Sequence, residues 1–120
     1  MPRVKRGVTA HRRHKKVLAL TKGHRATKHA VYRRAHESMM KSLSYAYFHR
    51  RERKGDMRRL WISRVNAASR AQGISYNQFI EGLKKSGVEI NRKMLADMAI
   101  REPESFAHLV TLAKGKVQDG

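Results

Sequence analysis

The chain has no cysteine among its 120 residues. That excludes a disulfide framework and a thiolate zinc ribbon, and nothing argues for an oxidising compartment. Acidic residues are nearly as scarce at its start, the first being Glu37. No apolar run approaches the roughly 18 residues of a spanning helix; "VLAL" at 17–20 is among the longest strongly apolar stretches of the first half, so membrane insertion is not expected. An Arg-rich, acid-free start suits an organellar transit peptide, but those are Ser-rich and no serine occurs before Ser38. A cytoplasmic protein is expected. Proline is absent between positions 2 and 103, which leaves a long stretch free for helix.

What is present is positive charge. Residues 1–60 hold 19 Lys or Arg against 3 acids, net +16, whereas residues 61–120 hold 9 against 6, net +3. A half-chain so charged repels itself when alone and gains by lying against a polyanion, whose condensed counterions it releases. Nucleic acid is the leading partner. The length suits one modest domain with an extension, divided here as a basic arm and long helix over 1–59 and a small globular domain over 60–118.

Residues 1–9 read as an extended basic arm and His11–Leu20 as a short helix stopped at Gly23, the elbow. From His24 to Gln72 good helix formers predominate, and one helix of that length would span roughly 70 Å; the alternative is a break at Gly55. An apolar stripe runs through Val31, Ala35, Met39, Leu43 and Ala46, lapses over 49–56, and returns at Met57, Leu60, Trp61 and Val65. Lys28, Arg33, Arg34, Arg50, Arg51, Arg53, Lys54, Arg58 and Arg59 fall at scattered angles around the helical wheel, which an interfacial membrane helix with one polar face would avoid.

After Gly73 the pattern becomes compact. Ser75 and Gln78 have capping-box spacing, with Tyr76, Phe79, Ile80 and Leu83 on one face and Gly87 as the stop. Asn91 opens a second helix, 91–100. Pro103 and Glu104 open a third, 102–115, with Phe106, Leu109, Val110 and Ala113 inward. Packed on the Trp61-bearing end of the long helix, these predict a small all-α bundle.

Other chemistries fit poorly. His11 and His14 are three apart, with His24, His29 and His36 following, yet each is flanked by cations and lacks carboxylate or thiolate companions for a metal; histidines beside phosphate fit better. No carboxylate pair, nucleophile with a base, or phosphate-cradling glycine loop stands out, so no catalysis, cofactor or small-molecule substrate is expected. Aromatics interleaved with cations, Tyr32 before Arg33 and Arg34 and then "YAYFHRRERK" at 45–54, suit base or groove contact by Tyr32, Tyr45 and Tyr47. A rod with cations on every side fits penetration between RNA helices better than docking on one DNA duplex face; a DNA-compacting architectural protein is the third-ranked reading.

The blocks "MPRVKRGVTAHRRHKKVL", "RRERKGDMRRLWISRVNAASRAQGISYNQFIEGLKKSG" (50–87) and "EINRKMLADMAI" (89–100) resemble the ribosomal protein twenty family of the bacterial large subunit, over roughly residues 1–113. The resemblance implies a structural, non-catalytic protein that binds large-subunit rRNA early in assembly beside neighbouring ribosomal proteins. In some members the C-terminal domain also represses synthesis by binding the protein's own mRNA leader. Carried over, RNA contacts fall on Arg3, Lys5, Arg6, Arg12, Arg13, His14, Lys15, Lys16, Lys22, Arg50, Arg51, Arg53, Lys54, Arg58 and Arg59. Trp61, Arg64, Asn66 and Arg70 mark the junction with the globular domain. His11, Arg25, Lys28, Arg33, Arg34, Arg64 and Arg70 complete the set of expected rRNA-binding cations. The chain departs from the family pattern at "GHRATKHA" (23–30), where the family has an aromatic and a second glycine, and at Phe48 and His49, which replace an Arg and an Asp, so contacts at those two positions are not carried over. Residues 1–55 are expected to be largely disordered without RNA, since they have little apolar surface to offset ordering entropy.

Overall fold

A computed structural model describes residues 3–118. Its elements are α1 (Gly7–Leu20), a 3₁₀ turn (Ala26–His29), α2 (Tyr32–Ala71), α3 (Tyr76–Lys85), α4 (Arg92–Arg101) and α5 (Pro103–Gln118). No strand occurs among the described residues, in keeping with the all-α expectation. Internal packing divides the chain into two units, residues 1–51 and 52–120.

In the first unit, the expected arm is shorter and the first helix longer than the sequence suggested. Residues 3–6 are non-helical; Met1 and Pro2 lie outside the described residues. Helix α1 opens four residues before His11 because the Ala10 amide closes a turn on the Arg6 carbonyl (3.0 Å) and the Thr9 hydroxyl donates to the same oxygen (2.9 Å). The reading of one helix from His24 is also corrected. Gly23 adopts φ +81° and Ala26 φ +56°, and α2 begins only at Tyr32. Composition from 24 to 31 favours helix; what overrides it is a local hydrogen-bond set. The His24 ring meets Ser38 Oγ at 2.7 Å, His29 Nδ1 meets the His24 carbonyl at 3.1 Å, and the Val31 amide donates to Thr27 at 2.8 Å. The turn lets the His14 ring stack on Tyr32, centroids 3.9 Å apart and planes 27° from parallel.

This unit buries little. Thr21 and Ala35 are its fully buried residues; of the expected stripe, Met39 and Ala46 are half-buried, while Val31 and Leu43 stay exposed. Helix α2 runs unbroken through the exposed Gly55 for 40 residues, about 60 Å at 1.5 Å per residue.

The second unit has a true core: Val65 from α2, Ile74, Phe79 and Leu83, Leu95 and Ala96, then Phe106, Val110 and Ala113. The Phe79 and Phe106 rings meet at 5.2 Å with a 47° tilt. Trp61, read as the anchor, is half-buried at the margin of this cluster, and Val65 one turn on is the α2 side chain fully inside. Local signals place the helix ends. Ser75 and Gln78 form the reciprocal capping box, and Asn91 Oδ1 accepts from the Met94 amide at 2.9 Å. Gly73 and Gly87, at φ +78° and +71°, close Schellman motifs: Ile74 donates to Ser69 and Gly73 to Arg70, then Val88 to Leu83 and Gly87 to Lys84. Both following residues, Ile74 and Val88, return an apolar side chain to the core. Helix α5 continues three residues past the expected stop at Gly115.

Candidate nucleic-acid interface

Every residue from 47 to 60 is exposed, although the segment is helical throughout. These 14 residues, about four turns, have no buried face. Successive positions step by about 100°, so Arg50, Arg51, Arg53, Lys54, Arg58 and Arg59 surround the helix. Of these, only Arg59 meets a carboxylate among the described residues, Asp56 at 3.5 Å, with both side chains largely in solvent. Such an exposed pair is worth under about 1 kcal/mol and leaves Arg59 free to exchange partners.

Nearer the start, Arg3, Lys5 and Arg6 lie on the exposed leading segment, and His11, Arg12, Arg13, Lys15 and Lys16 on exposed positions of α1. Lys15, Lys16 and Lys22 converge on an open groove of about 510 Å³ that His29 also lines. His14 is the exception among the site residues of α1: it is half-buried against Tyr32, so both rings hold the unit together. Tyr32 is therefore engaged inside the protein, with the His36 ring also near, its centroid 5.9 Å away. Arg25 caps the 3₁₀ turn that contains Lys28. Arg33 and Arg34 open α2, with Arg34 paired to Glu37 at 3.4 Å on the surface.

A second open groove, about 680 Å³, brings Lys28, Arg34, Lys41, Tyr45, His24 and His49 together. Lys41 was missed from sequence: its Nζ lies 4.9 Å from the Tyr45 ring centroid, a Lys-to-Tyr i,i+4 spacing that could have flagged it. Tyr45 is also stacked on His49, 5.6 Å away. Tyr45 and Tyr47 are about half exposed.

In the second unit, Arg64 and Arg70 are exposed. Arg64 lines a groove of about 600 Å³ with Met57 and Trp61 from α2 and Lys93, Met94 and Arg101 from α4. Lys93 and Arg101 were also missed, because 31 or more residues separate them from Trp61 and nothing local links them. Arg70 borders a smaller hollow with Asn66 and Tyr76. Among the described residues no group of three or more His, Cys, Asp or Glu is arranged to hold a metal, and no helix is long and apolar enough to cross a membrane.

An all-helical fold whose long helix carries solvated cations around its middle, with few acids to neutralise them, defines the class: a strongly basic all-α protein. The family model described as Ribosomal protein L20 matches residues 3–109. "Large ribosomal subunit protein bL20" of Natranaerobius thermophilus is 62% identical over 98% of this chain and 100% of the relative. The same-named proteins of Dehalococcoides mccartyi strain BAV1 and Moorella thermoacetica are each 59% identical, over 94% and 98% of this chain and 95% and 97% of their own lengths. The chain belongs to the ribosomal protein L20 family, as its sequence blocks implied: it is a protein of the large ribosomal subunit and not an enzyme.

Proposed function

We propose that this protein binds large-subunit rRNA directly and supports early assembly of the subunit, acting in the cytoplasm on the ribosome. Residues 1–59 supply the main rRNA-binding element through the cations from Arg3 to Arg59 named above, and residues 60–118 form a small domain that carries Arg64 and Arg70 to a second rRNA surface beside neighbouring ribosomal proteins.

The observation that carries the reading is the four-turn stretch of α2 with no buried face. A helix polar all round gains nothing from tertiary packing, and six cations repel one another across it. Phosphate on all sides supplies both missing terms. The test is binding of the full chain to folded large-subunit rRNA and to duplex DNA over a salt series. Preference for rRNA is expected, together with a steep salt slope that falls by about 0.7–0.9 for each phosphate contact removed by Arg50→Ala or Arg53→Ala. Equal affinities and slopes for the two polymers would replace the reading with that of a DNA-compacting or generic polycation.

A second role, repression of its own message, attaches to the groove lined by Trp61, Arg64, Lys93 and Arg101, where an aromatic wall sits beside Arg64 and Lys93 and Arg101 is paired with Asp97 at 2.9 Å. A reporter fused to the cognate leader is expected to be repressed by overexpressed protein and released by Arg64→Glu. An unresponsive reporter removes this role without touching the first.

A further inference from the structure

Helix α2 carries large apolar side chains that join no core. Met40, Leu43, Tyr47 and Phe48 are 58, 53, 47 and 56% exposed. Positions 40, 43 and 47 share one face, with 48 flanking it. The rings of Tyr47 and Phe48 meet edge to face, centroids 5.6 Å apart and planes at 73°, and the Arg51 guanidinium covers Tyr47 at 4.9 Å from the ring centroid. Tyr47 is thus held from two sides, and it holds Phe48 on edge with more than half of that side chain open to water.

The surroundings select the occupant. The patch is bordered by Lys41, Arg50 and Arg51 against one acid, Glu52, a turn beyond Phe48, and none of these three cations meets a carboxylate among the described residues. An apolar protein face docking here would leave those cations uncompensated. A nucleotide brings a π-face and a phosphate in one unit. Duplex RNA keeps its base faces inside the stack, so only an unpaired nucleotide can use an open ring.

We propose that Phe48, braced by Tyr47, is a stacking platform for an unpaired RNA base, with Arg51, one turn along the same side of α2, taking the adjoining phosphate. This rests on the RNA-binding reading above and adds what α2 selects within RNA: an extruded or single-stranded base.

The experiment measures affinity of the full chain for a single-stranded adenosine oligonucleotide and for a duplex RNA of equal length, over a salt series. Phe48→Ala is expected to weaken single-strand binding about 5- to 100-fold, with the salt slope unchanged because no charge is lost and with duplex affinity unchanged. Phe48→Tyr restores single-strand binding. Circular dichroism of each variant checks that α2 remains helical. A Phe48→Ala chain that binds both RNAs like the parent overturns the platform and leaves the patch to a protein neighbour; equal weakening on both RNAs overturns it in favour of a non-stacking contact. A parent chain that binds neither RNA overturns the RNA-binding reading itself, and with it this inference.

Discussion

Gly82 and Ala26 show how one Cβ atom can act in opposite directions, missing at the first and present at the second. At Gly82 an added Cβ would fall 2.5 Å from the Ala113 carbonyl oxygen, 2.7 Å from its Cα and 2.8 Å from its Cβ. Backbone cannot yield as a flexible side chain can, so α3 and α5 must separate over the Phe79–Phe106 contact. Gly82→Ala is expected to cost about 1–3 kcal/mol, read as a lower urea midpoint for the second unit; an unchanged midpoint would mean the two helices stand further apart. Ala26 is the reverse case. Its φ of +56° costs an L-residue about 1–2 kcal/mol, and replacement by glycine gives back about 0.4–1 kcal/mol through the freer unfolded chain. Ala26→Gly should therefore gain about 0.5–1 kcal/mol net, seen as increased helical signal of the free protein at moderate salt.

For elements, the deciding question is where each helix draws its stability. Helices α3, α4 and α5 have end signals and apolar faces that agree, so their existence and approximate limits were readable from Ser75, Gly87, Asn91 and Pro103. Gly23 was readable as the elbow between α1 and α2, but the non-helical path of residues 24–31 was not. Its residues are good helix formers, and what breaks the helix is the pairing of His24 with Ser38 and of His14 with Tyr32, contacts 14 or more residues apart. Helix α2 is the weakest case energetically, since no packing supports its middle. An added methyl at Gly55 meets nothing within 4 Å, so Gly55→Ala should raise helix stability by about 1 kcal/mol, whereas Gly55→Pro should cost about 3 kcal/mol or more. Helicity of the free chain and affinity for large-subunit rRNA should move in the same order across the two variants. Tighter binding by the proline variant would mean that α2 bends on RNA.

Across the whole molecule, charge and core occupy different residues. The second unit buries nine apolar side chains in one cluster, and among the described residues the first fully buries only Thr21 and Ala35. Burial at about 25 cal/mol per Å² cannot offset the ordering of some fifty residues at about 1–2 kcal/mol each from so small an interior. Hydrogen exchange of the free protein should show protected amides in α3, α4 and α5 and rapid exchange through α1 and the 3₁₀ turn, with protection there appearing when rRNA is added. Strong protection of α1 without RNA would mean that the unit is stable by itself.

The sequence by itself determined the class of partner, the helical character and the ends of the last three helices, because net charge, periodicity and caps are local properties that need no knowledge of what packs where. It also picked out most of the cations that the structure leaves exposed on α1 and α2, since long charged side chains stay in solvent wherever the backbone runs. Only the tertiary structure decided that Tyr32 and His14 face each other rather than the solvent, that α2 begins at Tyr32, that Gly82 is pressed against Ala113, and that Lys93 and Arg101 share a groove with Trp61. Each of those depends on contacts between residues far apart in sequence. Their strength is set by the distance between two surfaces, which no single segment encodes.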